Sequence, residues 1–306
     1  MSNKYIDKVT GPVIPLPTPF NANEEVAYED LAKYVRFLID NGIKNLMTTV
    51  GTSRFNLLSF EEVKKVNATV VEAAAGEAIT IVANPLVGGT KMAIDFAKHS
   101  ESIGADFLLA YFPERHYGED NTYDFFEAVG NSTDIGILLH EMPMRNGIGG
   151  GSVQYSIPLL HRLLEIENVV GLKEESMNTG YSQKILKEIA HKAVIIGAGG
   201  GMSRYLRDYW LGAKAFLGGI GNFYPQLELD FYAAMMAKDY ETAHKIVYEQ
   251  EQPYFEKVVP MGWHPSLKVA LAVKELMPLY ERRPMKQASQ EDKKYIHQIL
   301  QNNNWL

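Results

Sequence analysis

Residues 44–83 read KNLMTTVGTSRFNLLSFEEVKKVNATVVEAAAGEAITIVA, and the fold can be inferred from this stretch outward. Asn45–Thr49 and Ile79–Val82 are short runs rich in apolar and β-branched residues, which is typical of buried strands. Between them, Phe60–Ala75 places its apolar residues at the spacing of an amphipathic helix. A strand, a helix and a second strand in this order predict a parallel strand–helix–strand unit.

The same alternation extends along the chain from Gly11. Strands are predicted at Val13–Leu16, Asn45–Thr49, Ile79–Val82, Phe107–Tyr111, Gly136–His140, Val169–Lys173, Val194–Gly197 and Ala215–Gly218. Helices are predicted between them at Tyr28–Asp40, Phe60–Ala75, Lys91–Ile103, Tyr123–Asn131, Ile157–Glu165, Tyr181–Lys187 and Ser203–Leu211. Eight strands with a helix after most of them favour a closed (β/α)8 TIM barrel of the α/β class over an open sheet.

The chain after the eighth strand predicts helices alone. They are expected at Leu227–Met236, Tyr240–Tyr254, Leu267–Leu276 and Glu291–Leu300. We therefore predict a barrel over residues 1–222 and a C-terminal helical extension over residues 223–306. The apolar stripes of the extension are ordinary core material, which indicates a scaffold or an oligomer contact.

The composition excludes several classes of protein. With 306 residues, 46% hydrophobic and 22% charged, the chain has the balance of a folded globular protein. The net charge of −7 argues against nucleic acid as a partner, because binding phosphates requires clustered positive charge. The absence of cysteine excludes disulfides and thiolate nucleophiles. No segment has the length and apolarity of a signal peptide core or a membrane span, so we expect a cytoplasmic protein without membrane contact.

Motifs for a bound cofactor or metal are lacking. In VIIGAGGG at residues 194–201, the third glycine of a dinucleotide fingerprint would have to stand at the position of Met202. His140 and Glu141 do not begin a zinc-binding HExxH helix, because Met144 holds the fifth position. We expect neither a metal nor a diffusible cofactor.

Lys173 stands at the end of the predicted strand that begins at Val169. The carboxyl ends of strands are where TIM barrels build their active sites. Burial disfavours the charged form of a lysine, and a neutral amine attacks ketones to form an imine. The alternative is a surface lysine that is paired with Glu174 or Glu175.

Six segments carry a resemblance that covers nearly the whole chain in order. They are PVIPLPTPF at residues 12–20, GTSRFNLLSFEE at 51–62, GADFLLAYFP at 104–113, LLHEMPMRNG at 138–147, VVGLKEES at 169–176 and GAKAFLGGIGN at 212–222. Together they resemble the dihydrodipicolinate synthase/N-acetylneuraminate lyase family. The resemblance implies a (β/α)8 barrel with a helical extension, assembled as a homo-oligomer (dimer or tetramer). It also implies a Schiff base between a lysine and pyruvate or another 2-keto acid, and Lys173 matches that lysine.

The resemblance also assigns substrate contacts. Gly51, Thr52 and Ser53 match a loop that binds the carboxylate of the keto acid through hydroxyls and backbone amides. Either hydroxyl could instead cap the next helix. Arg145 matches an arginine that meets a second acidic group on the partner substrate, and a surface ion pair is its alternative. Leu217, in the segment of the eighth strand, is the remaining expected substrate contact.

The chain departs from the family pattern at several positions. His140 stands where the family has a tyrosine. An imidazole also exchanges protons, so His140 is the candidate acid/base, with a neutral core histidine as the alternative. The other departures are Glu114-Arg115 in place of a tyrosine pair, Arg54 in place of a glutamate, and Ala198-Gly199 in place of an acidic pair. These departures argue against both dihydrodipicolinate synthesis and sialic acid cleavage.

Three hypotheses follow. The leading one is a Schiff-base lyase that acts on a small 2-keto acid by aldol cleavage or condensation, or by dehydration. The second is a family member that has lost turnover and binds a keto acid or sugar acid in a sensing or regulatory role. The third is a metal-dependent aldolase on the same fold, which the absence of a visible cluster of metal ligands disfavours.

Overall fold

The computed structural model describes residues 5–85, 88–112, 117–141 and 154–306. Its eight parallel strands close into a barrel in chain order. They are β1 Gly11–Pro15, β2 Asn45–Thr48, β3 Ile79–Ala83, β4 Phe107–Ala110, β5 Gly136–Glu141, β6 Val169–Glu174, β7 Val194–Gly197 and β8 Ala215–Leu217. The (β/α)8 TIM barrel and the α/β class are confirmed, and no predicted strand end is wrong by more than two residues.

A helix follows each strand of the barrel. These helices are α1 Tyr28–Asp40, α2 Phe60–Ala74, α3 Thr90–Ser102, α4 Glu119–Gly130, α5 Ile157–Leu163, α6 Thr179–Ile189, α7 Gly201–Asp208 and α8 Pro225–Met236. The sequence placed the start of α4 too late, at Tyr123. The helix begins four residues earlier because Glu119 and Asp120 lie in its first turn, where carboxylates interact favourably with the helix dipole.

The helices of the C-terminal extension are also present. They are α9 Tyr240–Lys245, a π-helical stretch Ile246–Glu251, α10 Gln252–Val258, α11 Trp263–Val273 and α12 Gln290–Asn302. The predicted single helix Tyr240–Tyr254 is wrong in its regularity. Pro253 lacks the N–H that would bond to the carbonyl four residues earlier, and the helix widens ahead of it. The boundary between residues 222 and 223 stays a prediction; α8, which follows it, packs on β1.

Two apolar layers separate the inside of the barrel from its outer wall. One cluster fills the interior and includes Val13, Met47, Ile81, Phe107, Leu109, Leu138, Ile196 and Ala215. The other lies between the strands and the helices and includes Leu46, Leu108, Leu139, Leu172, Ile195 and Phe216. The interior is therefore a packed core, and ligands can approach only at its ends. Among the described helices, none combines the length and apolarity that crossing a membrane requires.

Candidate active site

A β-bulge in β6 determines which way Lys173 points. Two consecutive residues of β5 pair with Val169 and Gly171, so β6 contains one residue more than β5 over this step. Val169 belongs to the outer apolar layer, and strict alternation along the strand would place Lys173 on the same face. The extra residue reverses the alternation: Leu172 packs outside, and Lys173 pairs with Ile196 of the inner layer.

Gly171 makes the bulge possible. A Cβ atom at this position would lie 2.1 Å from the backbone oxygen of Val194 on β7, which is closer than any side chain tolerates. A glycine within a strand often marks such a close approach of two backbones. The glycine two residues before Lys173 therefore contributes to the orientation of the lysine.

Three side chains meet at the C-terminal end of the barrel and form what we call the lysine cluster: Lys173, His140 and Glu175. The lysine Nζ lies 2.9 Å from His140 Nε2 and forms an ion pair with Glu175 Oε2. His140 Nε2 lies 3.1 Å from the same carboxylate oxygen. His140 and Lys173 are direct partners in the β5–β6 ladder, which explains why their side chains meet.

Charge and burial define the state of this cluster. The side chain of Lys173 is 3% exposed and that of His140 is 1% exposed, whereas that of Glu175 is 24% exposed. Burial opposes ionisation of Glu175, but the Lys173 ammonium and the hydrogen bond with His140 outweigh it, so the pKa of Glu175 is lowered. Of the two pairings that the sequence left open for Lys173, the one with Glu175 is present. The lysine is nevertheless buried and does not lie on the surface.

Aromatic rings form one wall beside the lysine cluster. The Tyr111 ring, directly after β4, contacts the His140 imidazole edge to face, with 4.6 Å between ring centroids. Phe55 stacks on Tyr111 with 5.6 Å between ring centroids. These rings limit the positions available to the imidazole.

The predicted carboxylate loop lies opposite the lysine, because β2 and β6 are four strands apart in a closed barrel of eight. Gly51–Ser53 form one 3-10 turn, and nothing lies within 4 Å of a Cβ built at Gly51. The Ser53 hydroxyl donates a 2.5 Å hydrogen bond to the carbonyl of Leu16, so this hydroxyl is already engaged within the protein. Thr52 is buried, and its side chain makes no hydrogen bond within the described ranges. The open space therefore lies at Gly51, and the uncommitted hydroxyl is that of Thr52.

Arg54 connects this loop to the extension. Its backbone is left-handed (φ 59°), and its guanidinium forms a 2.6 Å ion pair with Glu281, with both side chains almost fully buried. Nearby, burial lowers the pKa of Lys268 to about 8, which Arg54 reinforces and Glu281 opposes. Lys268 donates a hydrogen bond to the carbonyl of Thr18, whose hydroxyl in turn bonds to the carbonyl of Ser53. The extension therefore braces the loop that is predicted to hold the substrate carboxylate.

The other predicted contacts have different outcomes. Leu217 is the last residue of β8 and packs, partly exposed, against the inner apolar layer. Arg145 lies outside the described residues, as do Glu114 and Arg115. Within residues 5–85, 88–112, 117–141 and 154–306, no group of three or more His, Asp or Glu side chains is arranged to hold a metal ion.

Sequence reasoning did not place three residues in the site: Glu175, which contacts Lys173, Tyr111, which contacts His140, and His264, which interacts with the charge of Glu175. Glu175 carried a signal, because residues two apart on a strand share a face. Tyr111 stood at a predicted strand end, and its contact with His140 depends on barrel closure. His264, in the first turn of α11, carried no signal in the sequence. Its pKa is lowered to about 4 by burial and by the charge of Arg54, while Glu175 acts in the opposite direction.

Comparison with known proteins agrees with this architecture. The model of the dihydrodipicolinate synthetase family matches residues 8–303. The 4-hydroxy-tetrahydrodipicolinate synthase of Aquifex aeolicus is 27% identical, over 96% of this chain and 97% of that protein. That of a Hydrogenobaculum species is 26% identical, over 97% and 100%.

Solved structures show the same fold. Dihydrodipicolinate synthase from Aquifex aeolicus superposes with a TM-score of 0.83 at 25% identity, covering 97% of this chain and 98% of that chain. N-acetylneuraminate lyase from Mycoplasma synoviae gives a TM-score of 0.84 at 23% identity with the same coverage, a likeness that shows the fold alone. The family match over nearly the whole chain shows that this chain belongs to the dihydrodipicolinate synthetase family, and with it to the lyases that make up that family.

Proposed function

We propose that this chain is a lyase that forms a Schiff base between Lys173 and pyruvate or another 2-keto acid, for aldol cleavage or condensation or for dehydration. The observation that carries the proposal is the buried lysine at the carboxyl end of β6, within hydrogen-bond distance of an imidazole and paired with a carboxylate. In a TIM barrel this end is the place where reacting groups are assembled.

The chemistry follows from the lysine. Its amine attacks the keto carbon, water leaves, and the protonated imine withdraws electrons from the adjacent carbon, so that a carbanion formed there is stabilised as an enamine. His140 is the proposed acid/base, because its Nε2 lies 2.9 Å from Nζ. Gly51 and Thr52 are the proposed carboxylate contacts, with Ser53 holding their loop, and Arg145 and Leu217 are proposed to meet the rest of the substrate.

We further propose that the reaction is neither dihydrodipicolinate synthesis nor sialic acid cleavage. Although the relatives are named 4-hydroxy-tetrahydrodipicolinate synthases, His140 occupies the position at which the resemblance places a tyrosine. Arg54, in place of a glutamate, is committed to Glu281. The proposal requires no metal or diffusible cofactor, and it includes a cytoplasmic dimer or tetramer.

Trapping of the imine tests the proposal. The protein is incubated with pyruvate, 2-oxobutyrate or 2-oxoglutarate, reduced with borohydride, and analysed by intact mass and peptide mapping. We expect a single reduced adduct on Lys173, which the variant Lys173→Ala abolishes. Lys187→Ala, which removes an exposed lysine of α6, is the matched control and should retain the adduct.

Each other outcome has a defined meaning. If none of the three acids gives an adduct, the Schiff-base proposal fails and a family member that binds without turnover becomes the better hypothesis. If no adduct forms and a chelator abolishes turnover, a metal-dependent aldolase is favoured.

A further inference from the structure

We propose that Glu175 is the counterion of the imine nitrogen and keeps that nitrogen protonated. The inference deepens the proposed function and rests on imine formation at Lys173. It assigns a catalytic contact to a residue outside the set that the resemblance supplies.

The position of Glu175 is fixed by the backbone of two strands. Its N–H donates to the carbonyl of Glu141 at 3.1 Å, which extends the β5–β6 ladder past the end of β6. Because Glu175 follows Lys173 by two residues, both side chains are on the inner face. One oxygen, Oε2, contacts both Lys173 Nζ and His140 Nε2. The carboxylate therefore lies beside the atom at which the imine would form.

Burial makes a counterion necessary. Lys173 and His140 are almost fully buried, so a positive charge on the imine nitrogen would have little contact with water. Among the residues that the structure describes, the charged and titratable groups that face Glu175 are Lys173 on β6, His140 on β5 and His264 on α11. Of these groups and Glu175 itself, only Glu175 supplies negative charge. Its greater exposure shows that it lies nearer to solvent than Lys173 and His140 do.

The charge balance of the reaction agrees with this role. In the tautomer whose Nε2 carries no proton, His140 first takes a proton from the Lys173 ammonium, and the amine then adds to the keto carbon. The carbonyl oxygen leaves as water after taking up two protons that were originally on the ammonium. The nitrogen keeps one hydrogen, forms a double bond to carbon and carries the single positive charge that the ammonium had. The ion pair with Glu175 therefore persists from reactant to imine, with no net change of charge in a buried site.

The carboxylate of Glu174 shows that the position of Glu175 beside Lys173 is specific. Glu174 points to the other face of β6, where its carboxylate pairs with Arg204. It therefore does not stand beside Lys173, and Glu175 provides the negative charge on the inner face.

Cyanoborohydride, which reduces protonated imines, tests the inference. Trapping rates are measured at saturating keto acid, using the acid of the three above that labels the wild type most. The wild type should trap at a nearly constant rate between about pH 6.5 and 8.5, because an adjacent anion raises the pKa of an iminium group. For Glu175→Gln we expect a rate that falls by up to about tenfold per pH unit across this range, because the imine then loses its proton.

Two further variants complete the design. Glu175→Asp should recover a large part of the wild-type profile, and Glu167→Gln, which removes an exposed carboxylate before β6, should match the wild type. Parallel profiles for Glu175→Gln and wild type overturn the inference. If Glu175→Gln does not fold, Glu175→Ala is measured in its place: its trapping rate should fall with rising pH across the same range, and a profile parallel to that of the wild type overturns the inference. Absence of any wild-type adduct contradicts the proposed function instead.

Discussion

The two faces of β6 at its carboxyl end use identical side chains for different purposes. Glu174 and Glu175 are adjacent, but Glu174 turns outward to Arg204 of α7 and Glu175 turns inward to Lys173. Outside, Arg204 also bonds to Asp208 at 2.9 Å, and the whole group is buried. Inside, the carboxylate is 24% exposed and lies at the barrel mouth. The difference teaches that the partner and the access to solvent, and not the residue type, decide whether a buried carboxylate stabilises the fold or can take part in chemistry.

The largest expected effect comes from breaking the outer pair. Arg204→Met leaves the buried carboxylate of Glu174 without its cation, and we expect the free energy of unfolding to fall by about 3–5 kcal/mol in urea denaturation. Removing both partners in Glu174→Gln/Arg204→Met should restore part of that loss. Because Arg204 acts on the outer face, adduct formation at Lys173 by the folded variant should be retained. A loss of less than about 1 kcal/mol would indicate that the ion pair between Glu174 and Arg204 contributes little to stability.

Changing the β-bulge should affect both faces of β6, and it should lower the free energy of unfolding by less than Arg204→Met does. In Gly171→Ala the new Cβ would lie 2.1 Å from the backbone oxygen of Val194, so the strands must shift. Overpacking of this kind costs about 1–3 kcal/mol. We also expect adduct formation at Lys173 to decline sharply, because the bulge sets the direction of its side chain.

The control for this variant is Gly180→Ala in the first turn of α6, where the added Cβ meets no atom closer than 3.6 Å. It should keep both stability and adduct formation. If Gly171→Ala traps keto acid as the wild type does, the bulge does not orient the lysine.

Much of the barrel, and the residues Lys173 and His140 of the site, could be predicted from the sequence. Apolar runs alternating with amphipathic stretches predicted all eight strands, since this periodicity reflects burial between helices. Lys173 was recognisable because a charged residue ended an apolar strand. His140 was found as a departure from a family pattern, and the register of β5 and β6 then places it against the lysine.

What could not be predicted depends on contacts between distant parts of the chain. The face on which Lys173 lies depends on the β-bulge in β6. In the sequence, Gly171 is the only indication of that bulge. The pairing of Arg54 with Glu281 joins residues 227 positions apart, and no local pattern indicates it. The neighbourhood of His264 arises in the same way, from packing of the extension near the barrel mouth.

The smallest expected effect concerns that histidine and tests whether the inner carboxylate is coupled to the extension. Burial and the charge of Arg54 lower the pKa of His264 to about 4, so at acidic pH the unfolded chain takes up a proton there before the folded protein does. The free energy of unfolding should therefore fall as the pH falls from about 6.5 to about 4, and this contribution should then level off. The full pKa difference corresponds to about 3 kcal/mol, and partial exposure reduces it to about 1 kcal/mol. His264→Gln should make the pH dependence of urea denaturation shallower by that amount. In Glu175→Gln the pKa of His264 itself should be lowered further, because the inner carboxylate opposes the lowering of this pKa, and an NMR pH titration of the imidazole resonances measures it. If the pKa of His264 is the same in Glu175→Gln and in the wild type, His264 is not coupled to the inner carboxylate, and the contrast between the two faces of β6 does not extend to the C-terminal helices.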